Sequence, residues 1–114
     1  MAPGTRNDAV QPGGEVVSAQ RRHALRQFNM SVADYDEMFE AQDGDCALCG
    51  RPETRKNPKT GEVLRLAVDH CHVTGRVRGL LCCNCNTGLG KLGDTPEALE
   101  KALAYVRGDD FYDE

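Results

Sequence analysis

Apolar residues recur at helical spacing in two stretches of the N-terminal half of the chain. Leu25 and Phe28 form a short stripe among arginines and predict a first helix over 20–28. Ser31 is a favourable N-cap, and with Asp34 at the third helical position it predicts a second helix that runs to residue 42. The apolar stripe of this second helix is formed by Val32, Tyr35, Met38 and Phe39. Residues 1–18 are rich in Gly, Pro and small polar residues, and they are predicted to be a disordered tail.

The middle of the chain predicts a pair of short strands. Apolar residues at 63–68 predict a strand that ends at Asp69 and His70. A turn signal follows, and residues 77–81 predict a second strand that leads directly into Cys82. Between the second helix and the first strand, prolines and glycines break any regular pattern, so a polar loop is expected there.

Two further helices are predicted after the strands. The segment 86–92 contains glycines and predicts a short, weak helix. Thr95 as N-cap and Pro96 at the first helical position are a strong start for a last helix, which Gly108 ends. The apolar face of this last helix is formed by Ala98, Leu99, Ala102, Leu103 and Val106. The acidic residues 109–114 are predicted to form a tail.

The composition indicates one small domain with a poor apolar core. The chain has 114 residues, of which 39% are apolar and 5% aromatic, and it has no Trp. A core this poor in large side chains is marginal for its size, so an additional crosslink is expected. The six cysteines are the candidates. The start of the chain has no apolar signal-peptide region, and no apolar run reaches membrane-spanning length. We therefore expect a cytoplasmic protein whose cysteines are reduced and bind metal rather than form disulfides.

Two Cys-x-x-Cys pairs are separated by 32 residues and predict a closed zinc site. The four cysteines are Cys46, Cys49, Cys82 and Cys85. Four thiolates complete the tetrahedron of zinc and leave no position for water, so this zinc is expected to be structural. Cys71 and Cys83 remain, and we interpret them as small packed residues. Competition of Cys83 for the zinc is left open.

The charge of the chain is unevenly distributed. The net charge is −4, but residues 46–78 carry seven Lys and Arg against three acids, whereas residues 31–45 carry six acids and no base. A positive segment attracts phosphates, so it fits a nucleic-acid surface. Ordinary loop charge on any protein surface is an equally good interpretation of the same pattern.

Between the two Cys pairs lies the run Asp69-His70-Cys71-His72, and Asn86 follows the last cysteine. A neutral histidine is suited to deprotonating water, and Asp and Asn oxygens are suited to a hard divalent cation, so these residues fit phosphodiester hydrolysis. A second metal site, or hydrogen-bond support for the zinc ligands, is the alternative.

These residues resemble the recombination endonuclease VII family of phage and phage-derived nucleases. The similarity covers roughly residues 31–107 and is carried by VDHCHVTGRVRGLLCCNCNTGLG (68–90) and by CALCG before it. The family belongs to the HNH, or His-Me finger, endonucleases. The resemblance therefore implies a small α+β fold over residues 19–108. In it a ββα-metal (HNH-like) motif is held by the structural four-cysteine zinc site and flanked by N- and C-terminal helices.

The resemblance also implies a role for each candidate residue. His70 is the expected general base, and His72 is expected to assist at the phosphate. Asp69 and Asn86 are expected to bind the catalytic Mg²⁺ or Mn²⁺, and Arg78 lies where a phosphate contact is expected. The four cysteines are the implied zinc ligands.

Two features differ from the best-known branch of that family. The position between the two histidines, acidic in some relatives, is Cys71. That branch also has a longer C-terminal part that supports dimerisation and recognition of branched DNA, whereas here the chain ends soon after one helix. The oligomeric state is therefore open, with a homodimer or a larger phage complex among the alternatives.

Three functions are consistent with these patterns. The leading hypothesis is a metal-dependent DNA endonuclease that nicks or cleaves DNA, with the host cytoplasm as its location if the protein is phage-encoded. The second is a non-catalytic zinc-knuckle module that binds nucleic acid or protein. The third is a redox switch, which would need a reactive Cys71 or Cys83. The Asp69, His70 and Asn86 set distinguishes the first from the second, since a binding module has no need of it.

Overall fold

A computed structural model describes residues 19–109 of the protein. It has four helices and two strands in the order α1 (Ala19–Arg26), α2 (Val32–Ala41), β1 (Ala67–His70), β2 (Val77–Leu81), α3 (Cys83–Lys91) and α4 (Pro96–Arg107). The predicted α+β class is therefore confirmed. The predicted tail 1–18, and all of the predicted acidic tail except Asp109, lie outside the described residues.

The first helix is shorter than predicted at its C-terminal end. α1 ends at Arg26, and Asn29 adopts a left-handed φ of 57°. The carbonyl of Leu25 accepts hydrogen bonds from the backbone N–H groups of Phe28 (3.0 Å) and Met30 (3.2 Å). This turn brings Met30 into the core next to Leu25, although Met30 falls outside both predicted helical stripes.

The predicted N-cap of the second helix is confirmed. The Ser31 hydroxyl accepts a hydrogen bond from the Asp34 N–H, and the Asp34 carboxylate accepts one from the Ser31 N–H, each at 3.0 Å. This reciprocal pair satisfies two N–H groups at the helix start. Tyr35 lies one turn further on and is buried, and its hydroxyl donates to the Leu66 carbonyl (2.5 Å).

The two strands form an antiparallel hairpin with one irregularity. Asp69 pairs with Gly79, but the next residue, His70, pairs with Val77, so Arg78 is one extra residue in β2. Side chains normally alternate between faces, which would place Arg78 and its neighbour Gly79 on opposite faces. A bulge of this kind redirects the extra side chain.

The strand predicted over 63–68 is wrong in extent, because β1 begins only at Ala67. The backbone of Val63 pairs with Lys56, and the Leu64 N–H donates to the Arg55 carbonyl (2.8 Å). These residues thus pair within the preceding loop rather than with β2. Leu66 belongs to the core without being part of a strand.

The core lies where α2 meets β2. Leu80 is completely buried, and the Gln42 side chain binds its backbone on both sides, accepting from the Leu80 N–H and donating to the Leu80 carbonyl, each at 3.0 Å. The Ala47 N–H also donates to that carbonyl (3.0 Å). The end of α2 and the first Cys pair are therefore both attached to one strand. The buried apolar residues are Leu25, Met30, Tyr35, Cys46, Leu66, Leu80, Leu81 and Cys82.

The third helix begins earlier than predicted, at Cys83 rather than after Cys85. Cys82 is its N-cap, and the Glu53 carboxylate accepts a hydrogen bond from the Cys83 N–H (2.6 Å). Neither group is in the usual set of sequence signals for a helix start, which explains why the predicted start lay too far along the chain. α3 packs against both strands of the hairpin.

The last helix begins and ends as predicted. The Thr95 hydroxyl accepts from the Ala98 N–H (3.1 Å), and Gly108 ends the helix with a left-handed φ of 85°. Within residues 19–109, α4 packs against no other helix or strand. Its residues Leu103 and Val106 are 48% and 80% exposed. None of the helices in the described part of the chain is both long and apolar enough to cross a membrane.

Candidate active site and metal centre

The four predicted zinc ligands lie together in the structure. Their sulfur atoms are all within 4.8 Å of one another, and the Cys49 and Cys82 sulfurs are 3.9 Å apart. A zinc ion with four Zn–S bonds of about 2.3 Å requires sulfur–sulfur distances of about 3.8 Å. The donor set and its spacing therefore fit zinc.

Backbone N–H groups are directed at the sulfur atoms of both Cys pairs. Cys46 accepts from the N–H groups of Leu48 (3.3 Å) and Cys49 (3.5 Å), and Cys82 accepts from that of Cys85 (3.5 Å). Gly50 follows the first pair with a φ of +75°, a conformation that side-chain-bearing residues rarely adopt. These donors stabilise negative charge on the sulfur atoms, which is the form that binds metal.

The thiols of the cluster are unequal when no cation balances their charge. Burial disfavours the thiolate of Cys46, but the N–H donors outweigh burial and lower its pKa to about 6. Burial and the neighbouring sulfur atoms raise the pKa of Cys85 to about 12. Four adjacent thiols cannot all ionise alone, whereas a divalent cation at their centre stabilises all four thiolates.

The remaining two cysteines lie outside this cluster. The Cys83 sulfur accepts a hydrogen bond from Arg55 (3.4 Å). The pKa of the Cys71 thiol is lowered by hydrogen bonds from the hydroxyl and backbone N–H of Thr74. The sequence left open whether Cys83 competes for zinc, and the geometry places it outside the group of four.

Asp69 and Arg78 form an ion pair with two hydrogen bonds across the hairpin. Arg78 donates from Nε to one Asp69 oxygen (2.7 Å) and from Nη2 to the other (2.9 Å). The bulge in β2 brings the two side chains onto the same face. Hydrogen bonds to Asp69, and then to Asp94, raise the pKa of the Arg78 guanidinium above its usual value. The residue expected to bind metal and the residue expected to bind phosphate are thus paired with each other.

Asp94 extends this contact to His72. It lies in the turn between α3 and α4, and Arg78 Nη2 is 2.7 Å from its Oδ1. His72 Nε2 is 3.1 Å from its Oδ2. Among the described residues, Asp69, Arg78, Asp94 and His72 therefore form one chain of alternating carboxylates and nitrogen donors.

His70 lies beside this chain. Its ring is 4.9 Å from the His72 ring and 5.1 Å from the Phe28 ring, measured between centroids. Within residues 19–109 the His70 ring makes no hydrogen bond or ion pair, so its ring nitrogens have no protein partner there. His72 itself already belongs to the turn after β1.

Asn86 lies in the first turn of α3, where its N–H donates to the Cys82 carbonyl (2.9 Å). Its side chain is exposed and makes no hydrogen bond to another described residue. α3 packs on β1, the strand that carries Asp69. The structure therefore links Asp69, His70, His72 and Arg78 by direct contacts, and attaches Asn86 to the same unit through its helix.

Asp94 and Glu53 are the polar residues of this region that sequence reasoning missed. Asp94 precedes the Thr95 N-cap, and its contacts with Arg78 and His72 span 16 and 22 positions of the chain. Glu53 lies 30 positions before the helix that it caps. No local pattern marks either contact.

The chain matches a known protein family over most of its length. Residues 21–108 match the family described as recombination endonuclease VII. The match covers well over half of the chain and includes every candidate residue discussed above. The chain belongs to the recombination endonuclease VII family.

Two curated relatives are phage proteins. One is the Gene 59 protein of Mycobacterium phage D29, which is 38% identical over 84 residues, or 73% of this chain and 47% of the relative. The other is the Gene 59 protein of Mycobacterium phage L5, which is 37% identical over 83 residues, or 72% and 46% of the two chains. This chain thus spans about half the length of these relatives. No solved structure matches it significantly.

Proposed function

We propose that the protein is a metal-dependent DNA endonuclease of the HNH, or His-Me finger, type, in which β1, β2 and α3 form the ββα-metal motif. The observation that carries the proposal is His70 itself. In a chain that belongs to an endonuclease family, this histidine follows Asp69 directly and has no hydrogen-bonding partner among the described residues.

In this proposal His70 is the general base. A ring nitrogen removes a proton from a water molecule, whose oxygen then forms a bond to the phosphorus while the bond from phosphorus to the 3′ oxygen breaks. The proton remains on His70 until solvent removes it. The departing 3′ oxygen takes a proton from a solvent water molecule, so the products are a 5′ phosphate and a 3′ hydroxyl.

The donor set of Asp69 and Asn86 fits a hard divalent cation such as Mg²⁺ or Mn²⁺. Carboxylate and amide oxygens are the ligands these ions prefer, and the amide of Asn86 has no hydrogen-bonding partner among residues 19–109. The bound ion would supply positive charge to stabilise the departing 3′ oxygen. Arg78 already binds both Asp69 oxygens, so the ion would share this carboxylate with the guanidinium through the remaining lone pairs of the oxygens.

Positive groups near the site support a nucleic-acid substrate. Arg78 Nη1 makes no hydrogen bond within the described residues, and His72 is 68% exposed. Both are suited to binding phosphate oxygens. The segment 46–78 adds a net charge of +4 from seven bases and three acids, which attracts the DNA backbone.

The zinc site has a structural role in this proposal. Four sulfur ligands leave no open position for water or substrate. The two Cys pairs connect the loop before β1 to the end of β2 and the start of α3, and so keep Asp69, His70 and Asn86 in one unit. Activity in the cytoplasm of a host cell is consistent with reduced cysteines and with the phage relatives.

A nicking assay tests the proposal. Supercoiled plasmid, a linear duplex and a four-way junction are each incubated with the zinc-loaded protein, with Mg²⁺, with Mn²⁺ or without added metal. We expect cleavage only with divalent metal. His70→Ala should slow it by about 10²–10⁴-fold, the usual contribution of a general base.

The matched control is His23→Ala, which removes an exposed histidine on α1. This variant should cut at the wild-type rate, and both variants should retain their zinc. If His70→Ala cuts as fast as His23→Ala, His70 is not the base.

A non-catalytic zinc-knuckle module is the second candidate function. The pairing of Arg78 with both oxygens of Asp69 favours it, because the positive guanidinium already neutralises this carboxylate and repels a second cation. A wild-type protein that binds zinc and DNA but cuts none of the three substrates in either metal would support this candidate over the nuclease.

A further inference from the structure

Asp94 is the carboxylate that joins two of the candidate site residues. Its side chain is 10% exposed, and each of its two oxygens contacts a different partner, Arg78 at 2.7 Å and His72 at 3.1 Å. His72 is largely exposed, and within the described chain its side chain has no other polar partner. Its Nε2 contact with Asp94 is therefore the polar contact that orients its ring.

The backbone of the α3–α4 turn holds Asp94 in this position. Asp94 has a left-handed φ of 56°, which Asp and Asn adopt more readily than most residues, and Gly93 before it has a φ of 110°. The Asp94 N–H donates to the Leu89 carbonyl at the end of α3 (3.1 Å). The following residue, Thr95, caps α4. The carboxylate itself takes no part in these backbone contacts, so the turn does not depend on its charge.

A carboxylate is the group that meets both demands at this position. Arg78 Nη2 is always a donor, and His72 Nε2 lies 3.1 Å from the other carboxylate oxygen, within ion-pair distance. A carboxylate accepts at both oxygens, whereas an amide offers one acceptor and one donor. Asn at this position can therefore accept from only one of the two partners.

We propose that Asp94 is a positioning residue, which holds the His72 ring and the Arg78 guanidinium beside Asp69 and His70 in the orientation that binds the phosphate. Through it, the start of α4 contributes to a site otherwise built on the hairpin. The expected effect of Asp94 on catalysis rests on the proposed nuclease function. Its structural part, the orientation of His72, is independent of activity.

The first test measures the order of the His72 ring by ¹³C relaxation of its C–H groups, with no DNA present. In the wild type we expect the order parameter of a rigid group, about 0.85. In Asp94→Asn we expect the order parameter of the His72 ring to fall below about 0.6. Asp43→Asn is the matched control, since Asp43 also has a φ of 56° but is exposed and makes no side-chain contact within residues 19–109. A mobile ring in the wild type, or equal order in the wild type and Asp94→Asn, overturns the proposal.

The second test measures cleavage by the same variants. The usual effect of removing a hydrogen-bonding partner of a site residue is 10–100-fold, and we expect kcat of Asp94→Asn to fall by about this factor. The loss should not exceed that of a variant lacking both His72 and Arg78. Zinc content and Tm should match those of Asp43→Asn.

The outcomes separate this proposal from the proposed function. A kcat of Asp94→Asn equal to that of Asp43→Asn contradicts a positioning role, and so does a fall in kcat accompanied by loss of zinc. If the wild-type protein cuts no DNA, the nuclease function fails, while the ring-order measurement still decides whether Asp94 orients His72.

Discussion

Removal of zinc should unfold the domain. The eight buried apolar residues of the described chain include two of the zinc ligands, Cys46 and Cys82, so the core depends directly on the metal site. A domain of about 90 residues has a typical free energy of unfolding of about 5–13 kcal/mol. Zinc binding by comparable cysteine-rich sites contributes about 10–16 kcal/mol at pH 7. The two ranges overlap, so the metal term is as large as the whole stability and little of that stability is expected to remain without it.

The measurement is a chelator titration at pH 7 under reducing conditions. Zinc release is followed with a coloured indicator, and folding is followed by far-ultraviolet circular dichroism and by the dispersion of amide NMR signals. We expect one zinc per chain, and loss of helical signal and dispersion in step with its release. Added zinc should restore both signals, which controls for irreversible damage.

A metal-free protein that kept dispersed amide signals and a cooperative thermal transition would contradict this prediction. In that case the core of α1, α2 and the hairpin would be sufficient to fold alone. The interpretation of the Cys pairs as the element that stabilises a poor core would then be wrong, even if zinc were bound in the native protein.

Further predictions concern single side chains. Cys49→Ser should abolish stoichiometric zinc binding, whereas Cys71→Ser, outside the cluster, should retain it; equal zinc content in the two would contradict the ligand assignment. Tyr35→Phe should lower the free energy of unfolding in urea by about 1–3 kcal/mol, because it leaves the buried Leu66 carbonyl without its donor. Tyr105→Phe, at a 68% exposed residue, should change it by less than about 0.5 kcal/mol. Burial raises the pKa of Tyr35 from 10.0 to about 12. This neutral tyrosine therefore stabilises the fold fully below pH 10, and its contribution is lost as pH rises towards 12. Absorbance at 295 nm should show one late-ionising tyrosine that is missing in Tyr35→Phe.

The starts of α2 and α4 and the end of α4 were predictable because their signals are local. The cap at Ser31 depends on a residue three positions away, and that at Thr95 likewise. The left-handed end at Gly108 needs only the missing side chain of glycine. Such contacts form within one turn, so the sequence specifies them whatever the remainder of the chain does.

The strand boundaries and the start of α3 were not predictable in the same way. An apolar run at 63–68 is compatible with a strand, but Val63 found its partner in Lys56 of the preceding loop. α3 starts early because Glu53, far away in sequence, accepts from the Cys83 N–H. In both cases a residue outside the local pattern determined the boundary: Lys56 for the strand and Glu53 for the helix.

The candidate site was likewise predictable only where its contacts are local in sequence. The spacing of the cysteines predicted the sulfur cluster, because each pair forms within one turn and zinc accepts few other geometries. The sequence also placed Asp69, His70 and Asn86 in one unit. It did not show that Arg78 is the bulged residue that binds Asp69, or that Asp94 reaches both Arg78 and His72.

The sequence alone therefore determined the four-cysteine ligand set, the caps of α2 and α4 and the family, since these depend on residue identity and short spacing. Only the tertiary structure decided which charged groups meet, because one extra residue in β2 changes the face on which Arg78 lies. It also showed that, within residues 19–109, α4 leaves its apolar residues Leu103 and Val106 exposed. Amphipathic spacing creates an apolar face, but the arrangement of the whole chain decides whether anything covers it.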